Sequence, residues 1–142
     1  MFGRWHEPIP ALLAATSTVL RHDLRYLAEP LPTYVRGAVV LLGDAAHAMT
    51  PNLGQGAAQA IEDAVVLGAC CPVRRPLADG LAEYDAVRRP RSQAVARASY
   101  RVGRFGQQLS NPVLVAVRNA AMRLTPPRVA LRSMAQYAAW RP

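Results

Sequence analysis

The sequence predicts an α/β fold followed by an Arg-rich helical extension, and three features support this prediction. Residues 38–44 (AVVLLGD) form an unbroken apolar run, which is typical of a strand buried on both faces of a parallel sheet. From residue 56 onward, apolar residues recur at helical spacing, and prolines separate the helical stretches. All 17 basic residues are arginine, and eleven of them follow residue 85.

The first half of the chain is predicted to mix helix and strand. Residues 9–18 indicate a short helix with Pro10 in its first turn. Residues 19–27 alternate imperfectly between apolar and polar, which indicates a strand. After the apolar strand at 38–44, residues 45–56 form a loop that contains Thr-Pro-Asn and two glycines.

The second half is predicted to be helical. Pro90 lies inside the second of four predicted helices and is expected to interrupt or kink it, because proline cannot donate a backbone hydrogen bond. The four helices start at Gly56, near Leu77, at Asn111-Pro112 and at Pro126-Pro127, and the last ends near Trp140.

Charge is divided unevenly along the chain, whose formal net charge is +8. Residues 1–85 hold all nine acidic residues and six arginines, a net charge of −3. Residues 86–142 hold eleven arginines and no acidic residue, a net charge of +11. This division indicates either two segments with different roles or one segment whose acidic partners lie elsewhere.

Composition excludes several classes of protein. A hydrophobic fraction of 51% with 18% charged residues is typical of a globular protein rather than a disordered one. No apolar run approaches the roughly 20 residues that a membrane-spanning helix needs, and the first ten residues do not resemble a signal peptide. Cys70 and Cys71 are adjacent, which suits neither a structural disulfide nor a zinc site. We therefore expect a cytoplasmic protein in a reducing setting, without a metal site.

The residues that point to chemistry lie in two motifs, LGDAAH at 42–47 and PNLGQG at 51–56. Asp44 follows the predicted strand at the sheet edge where ligands bind, and its carboxylate suits the hydroxyls of a ribose or ribityl chain. A helix begins at Gly56, so its first N–H groups and its dipole favour an anion or an electron-rich carbonyl. The glycines of the second motif allow the backbone to approach a flat ligand. Together the motifs predict a site for a hydroxylated chain attached to a planar, electron-accepting ring.

The segment GDAAHAMTPNLGQGAAQAIEDA, residues 43–64, is similar to the second FAD-contacting motif of the class A flavoprotein monooxygenases. That family includes salicylate hydroxylase, p-hydroxybenzoate hydroxylase and zeaxanthin epoxidase, and the similarity is strong over residues 37–68. The resemblance implies the C-terminal part of a flavin-binding Rossmann domain of the glutathione-reductase type, followed by the Arg-rich helical extension. It also implies FAD as cofactor, NAD(P)H and O2 as co-substrates, and hydroxylation or epoxidation of a small aromatic substrate.

The same resemblance divides the chain into three parts and assigns roles to residues. Residues 1–34 are a remnant of the substrate domain and the crossover, residues 35–72 the FAD-binding segment with the Gly-Asp motif, and residues 73–142 a helical C-terminal extension. Asp44 would contact the ribityl or pyrophosphate part of FAD, and Pro51 the edge of the ring. Backbone N–H groups near the start of the helix would stabilise negative charge at the N1–C2=O side. No catalytic residue is assigned, and the residues assigned to FAD are Gly43, Asp44, Pro51, Gly54, Gln55, Gly56 and Ala57.

Parts of the family pattern are not found in this sequence. It has no GxGxxG fingerprint after a strand, no mid-chain Asp-Gly motif, and little of the substrate domain. We therefore expect the chain to be inactive alone, and to act with a separate N-terminal half or by self-association.

Several residues have a simpler interpretation than a functional one. Asp44 could cap a helix or turn, and His47 could act as a general base but is interpreted as structural. Glu62 and Asp63 are interpreted as acids that favour the helix dipole. The arginines indicate either a basic helical module that binds a polyanion, nucleic acid or an anionic membrane, or a surface whose acidic partners lie in other domains. We favour the second reading and expect no specific nucleic-acid binding. The arginines concerned are Arg97, Arg101 and Arg104 on one helix face, and Arg88, Arg89 and Arg91 around Pro90.

Overall fold

The structure is a computed structural model that describes residues 4–138 and Trp140. Its described part is mostly helical, with a small two-stranded antiparallel sheet. In chain order the elements are α1 (Ile9–Ala15), β1 (Val35–Arg36), β2 (Val39–Val40), α2 (Asp44–His47), a 3-10 helix (Pro51–Leu53), α3 (Gly56–Cys70), α4 (Leu77–Gly106), α5 (Pro112–Leu124) and α6 (Pro127–Ala138).

Of the two strands predicted in the first half, the one at 19–27 was wrong, and the one at 38–44 is present only in part. Residues 19–27 have no regular structure and are exposed, because no strand of the described residues pairs with them. The predicted strand at 38–44 shrinks to β2, which pairs antiparallel with β1 across a turn at Gly37, and Val39 remains 64% exposed. The apolar run therefore does not form a strand buried on both faces of a parallel sheet. Its last residue, Asp44, begins helix α2 instead.

The predicted helices α1, α3, α5 and α6 are confirmed, and so is α4, which was expected to begin near Leu77 and to run past Tyr100. It runs for 30 residues through Pro90, so the predicted interruption is absent. The start of α5 follows directly from its sequence, because the Asn111 side chain accepts hydrogen bonds from the N–H groups of Val113 and Leu114. None of the described helices is both long and apolar enough to span a membrane.

The core lies where α3 packs on α4 and where the hairpin and α2 close over both helices. Tyr34 and Tyr84 are its largest aromatic members, and both are almost fully buried. The Tyr84 hydroxyl donates to the Leu41 carbonyl (3.0 Å), and the Tyr34 hydroxyl hydrogen-bonds Ser92 (2.8 Å). These bonds tie the chain on both sides of the hairpin to α4, and so fix the place where α2 begins.

Candidate functional site

The Gly-Asp motif forms the start of α2 rather than the end of a strand. Gly43 is buried and has φ +59° and ψ −140°, a conformation that a residue with a Cβ adopts only with strain. Its N–H donates to the Asp63 carboxylate (2.8 Å), and its carbonyl accepts from the N–H groups of Ala46 and His47. Asp44, the first residue of α2, therefore projects from a fixed backbone and is exposed.

A cavity of about 520 Å³ brings most of the predicted site residues together. Asp44 lies at this cavity together with the loop and the first residues of α3. Gly43 and Gln55 do not line it: Gly43 lies behind Asp44, and Gln55 is the residue before α3. The lining residues are Asp44, Met49, Thr50, Pro51, Gly54, Gly56, Ala57 and Ala60.

The N-terminus of α3 presents unused backbone donors to this cavity. The helix begins at Gly56 without a side-chain cap, and Gln59 is the first residue whose N–H bonds back to Gln55 (2.9 Å). The N–H groups before Gln59 thus have no acceptor within the helix, and they lie at the positive end of its dipole. The space in front of them is open, because a Cβ on Gly54 would meet nothing within 4 Å and one on Gly56 would meet only Met49 at 4.0 Å.

The wall of the cavity at residues 50–53 is held by α4. Asn52 donates from its side-chain amide to Thr50 (2.9 Å) and to the Ser99 carbonyl (3.1 Å). The Ser99 hydroxyl in turn donates to the Thr50 carbonyl. Gly103 allows this approach, since a Cβ there would lie 2.3 Å from the Asn52 amide nitrogen. These hydrogen bonds hold the loop against α4.

Behind the cavity, Asp63 joins three parts of the chain. It is fully buried, and one carboxylate oxygen accepts from Gly43 N–H (2.8 Å) and from His47 Nε2 (2.6 Å). The other oxygen accepts from Arg88 Nε (2.7 Å). His47 is itself buried, which agrees with its interpretation as a structural residue.

Glu62, which does not line the cavity, completes the network. Arg88 donates to it (2.7 Å), as does Arg91 through two nitrogens (2.6 and 2.7 Å). Arg88 is fully buried, and its remaining nitrogen donates to the carbonyl and side chain of Gln59. Burial raises the pKa of Glu62, but the hydrogen bonds and charges of Arg91 and Arg88 outweigh that effect and lower it below its usual range.

Two sequence-based interpretations are corrected by this network. Glu62 and Asp63 do not simply favour the helix dipole, because they are the buried partners of two arginines from α4. The acidic partners of Arg88, Arg89 and Arg91 were expected in other domains, but they lie within this chain; Arg89 pairs with Asp85 (3.2 Å). The spacing of acids on α3 and arginines on α4 is visible in the sequence, but only the packing of the two helices shows that they meet.

The other arginines and the two cysteines considered in the sequence analysis lie at the protein surface or in its core. Arg97 and Arg101 are exposed, and Arg104 lies over the Tyr100 ring, 5.9 Å from its centroid. Cys70 is buried, Cys71 is half-buried, and neither forms a disulfide. Among the described residues, no group of three or more His, Cys, Asp or Glu side chains is arranged to hold a metal ion.

Comparison with known proteins identifies the family to which this chain belongs. A family model described as FAD binding domain matches residues 22–99, which is more than half of the chain. The chain belongs to this FAD-binding domain family. The match includes the cavity, the network behind it and about the first three-quarters of α4. The predicted cofactor, FAD, is confirmed, and so is the resemblance to the FAD-dependent aromatic hydroxylases.

Individual relatives agree with this assignment. The chain is 46% identical over 125 residues to aurachin C monooxygenase/isomerase of Stigmatella aurantiaca, covering 87% of this chain and 32% of that protein. It is 42% identical over 117 residues to salicylate hydroxylase of Pseudomonas putida, covering 80% of this chain and 26% of that protein. The crystal structure of Klebsiella pneumoniae HpxO complexed with FAD and uric acid superposes with a TM-score of 0.82 and 33% identity, over 96% of this chain and 35% of that one. The chain thus spans about a third or less of the length of the curated relatives it matches.

Proposed function

We propose that the chain forms the ribityl and ring end of the FAD site of a flavoprotein monooxygenase that hydroxylates or epoxidises a small aromatic substrate with O2 and NAD(P)H. The observation that carries this proposal is that the Asp44 carboxylate and the N-terminus of α3 line the same cavity. An acceptor and a row of backbone donors are complementary to a hydroxylated chain that ends in an electron-accepting ring. The cavity, at about 520 Å³, has the size of a cofactor pocket.

In this proposal each site residue holds a different part of the cofactor. Asp44 accepts hydrogen bonds from the ribityl chain or lies beside the pyrophosphate, and Pro51 lies against the edge of the ring. The backbone N–H groups of Gly56 and Ala57 face the N1–C2=O side, where they stabilise negative charge on the ring. The Gly54 N–H donates to the Pro51 carbonyl (2.9 Å), so Gly54 contributes the open space of a missing Cβ instead. Gly43 and Gln55 act through the backbone, by fixing the starts of α2 and α3. FAD, when bound, supplies the redox and oxygen chemistry.

The rest of the FAD site and the substrate pocket need further protein surface. We propose that a complementary N-terminal half, in the same or a separate polypeptide, supplies the GxGxxG segment that grips the ADP end of FAD. In the proposed division, residues 1–34 belong to the substrate domain, residues 35–72 bind FAD, and residues 73–142 form the helical extension. Large apolar side chains at the surface, such as Leu20 (81% exposed) and Leu124 (82% exposed), favour such a partner or self-association.

The test is FAD binding by the chain complemented with the N-terminal half of a relative, such as the Stigmatella aurantiaca protein. Flavin fluorescence gives the dissociation constant. Asp44→Ala should weaken binding about 10- to 100-fold, because a charge-assisted hydrogen bond contributes about 1.5–3 kcal/mol. Asp79→Ala is the matched control, since this exposed carboxylate lies in the first turn of α4 and does not line the cavity. Equal affinities for the two variants, or no FAD binding by the complemented protein, would contradict the proposal.

A second variant tests the other end of the cavity. Gly56→Val places a branched side chain where only Met49 is near, so the fold tolerates it while the approach to the backbone donors is blocked. FAD should still bind, but its visible absorption spectrum should shift as the ring loses those donors. A spectrum identical to that of the unsubstituted protein would show that the start of α3 does not contact the ring.

A further inference from the structure

Asp63 is the side chain that connects the two ends of the proposed flavin cavity. It lies on α3, seven residues after the helix begins, so it moves with the N–H groups that face the cavity. Its carboxylate reaches across to Gly43, the residue immediately before Asp44, at 2.8 Å. The same oxygen accepts from His47 Nε2, in the last residue of α2. Both ends of α2 are therefore fixed to α3 through one side chain.

The Asp63 carboxylate is the hydrogen-bond acceptor of the Gly43 N–H. Gly43 is buried and precedes α2, so its N–H has no partner within that helix. Its positive φ depends on the missing Cβ, and a Cβ would lie 3.3 Å from that of Ala60 on α3. The Gly43–Asp44 junction therefore lies close against α3, and the hydrogen bond to Asp63 joins it to that helix.

The charge of Asp63 is maintained by its surroundings. Burial raises the pKa of this carboxyl, but hydrogen bonds from His47, Gly43 N–H and Arg88 outweigh burial and hold the pKa below its usual range. An ionised carboxylate only accepts hydrogen bonds, so all three donors are satisfied at once. Arg88, itself fully buried, fixes the far oxygen and thereby the orientation of the group.

We propose that Asp63 is a positioning residue, which fixes the Gly43–Asp44 junction against α3 so that the Asp44 carboxylate and the N-terminus of α3 face the same cavity. Asp63 acts through Gly43 and His47 and does not line the cavity itself. The expected effect of Asp63 on FAD binding rests on the proposed function, whereas its effect on the geometry of the Gly43–Asp44 junction does not.

Glu62 provides a matched control. It is the neighbouring carboxylate on α3, it is 7% exposed, and it pairs with the same Arg88. It contacts neither Gly43 nor His47 in the hydrogen bonds of the described residues. Asp63→Asn and Glu62→Gln therefore make the same change of charge beside the same arginine, and only the first alters the junction.

The experiment measures amide hydrogen exchange of the full chain by NMR, with FAD as the added probe. In the unsubstituted protein the Gly43 amide should exchange as slowly as the amides in the middle of α3. Asp63→Asn should speed Gly43 exchange at least about tenfold more than Glu62→Gln does, after both are corrected for global unfolding. FAD titrated to millimolar concentration should shift the amides of Asp44 and the start of α3, and Asp63→Asn should weaken this binding about tenfold.

Each outcome is decisive for one of the two proposals. The positioning role is overturned if the Gly43 amide exchanges at the same rate in the two variants. It is also overturned if this amide exchanges freely in the unsubstituted chain, a measurement that does not require either variant to fold. Faster Gly43 exchange in Asp63→Asn, with no FAD-induced shift in the unsubstituted chain even when it is complemented with the N-terminal half, supports the positioning role and contradicts the proposed function at this cavity. Faster exchange together with weaker FAD binding supports both.

Discussion

Replacement of Arg88 by methionine should be among the most destabilising single changes available in this chain. Arg88 is fully buried and is the shared cation of Asp63 and Glu62, with hydrogen bonds of 2.7 Å to each. Methionine keeps much of the volume but leaves two buried carboxylates without that cation. Breaking a buried pair in this way costs about 3–5 kcal/mol. A domain of this size has a total stability of about 5–15 kcal/mol, so the loss is a large fraction of it.

The adjacent residue provides the control, since Arg89 is half-buried and pairs with Asp85 one helical turn away on the same face of α4. Arg89→Met should cost less than about 1 kcal/mol, as expected for a pair near the surface. Urea denaturation followed by circular dichroism gives both free energies of unfolding. If Arg88→Met costs no more than Arg89→Met, the network does not hold α3 to α4, and the reasoning fails.

Acidification should narrow the gap between the Arg88→Met variant and the unsubstituted protein. Because the folded pKa values of Asp63 and Glu62 lie below their ordinary values of 3.8 and 4.5, the network stabilises the unsubstituted protein above that range and ceases to do so as pH falls through the folded pKa values. In Arg88→Met one of the influences that lower these pKa values is gone, while Arg91 still acts on Glu62, and His47 and Gly43 on Asp63. Both pKa values should therefore lie higher than in the unsubstituted protein, so protonation relieves the variant first. A gap that stays constant from pH 7 to pH 4 would contradict this account.

Three further predictions concern the rest of the chain. Without its complementary half, the chain should hold FAD more weakly than micromolar, because fewer contacts must offset the cost of association; equilibrium dialysis checks this. Gly103→Ala should destabilise by about 1–3 kcal/mol through its clash with Asn52, whereas Gly106→Ala, with open space around it, should be neutral or slightly stabilising in thermal unfolding. Binding to single-stranded DNA should be weak, lost at physiological salt, and less salt-dependent in Arg97→Ala with Arg101→Ala; sub-micromolar binding at that salt would favour the polyanion reading.

Local signals in the sequence were sufficient for most of the helices. Asn111 caps α5 with its own side chain, and α3 begins at the glycine where the motif predicted it. The gathering of Asp44, Pro51 and Gly56 around one cavity also follows from sequence, because the motif is contiguous and its loop is short. Such features depend on residues within one or two turns, which a single sequence displays.

The strands could not be predicted in the same way. Residues 38–44 are apolar enough for a buried strand, but a strand needs neighbours, and the described residues offer only the two-residue β1. The same limit applies to Asp63 and Arg88, which are 25 residues apart and meet only because α3 packs on α4. From sequence, an acid early in a helix is indistinguishable from one that simply favours the dipole.

The network also changes how the charge division of the chain is understood. Among the first arginines after residue 85, Arg88 and Arg91 neutralise acids of α3, and Arg89 neutralises an acid one turn before it. The first arginines of the basic half are thus counter-charges of the acidic half, and α4 packs on α3 through them. Removing the chain from residue 73 onward would leave Asp63 and Glu62 without their arginines, directly behind the Gly-Asp motif. Helix α4 of the helical extension therefore helps to place Asp44 at the cavity, because its Arg88 holds Asp63 and Asp63 holds Gly43.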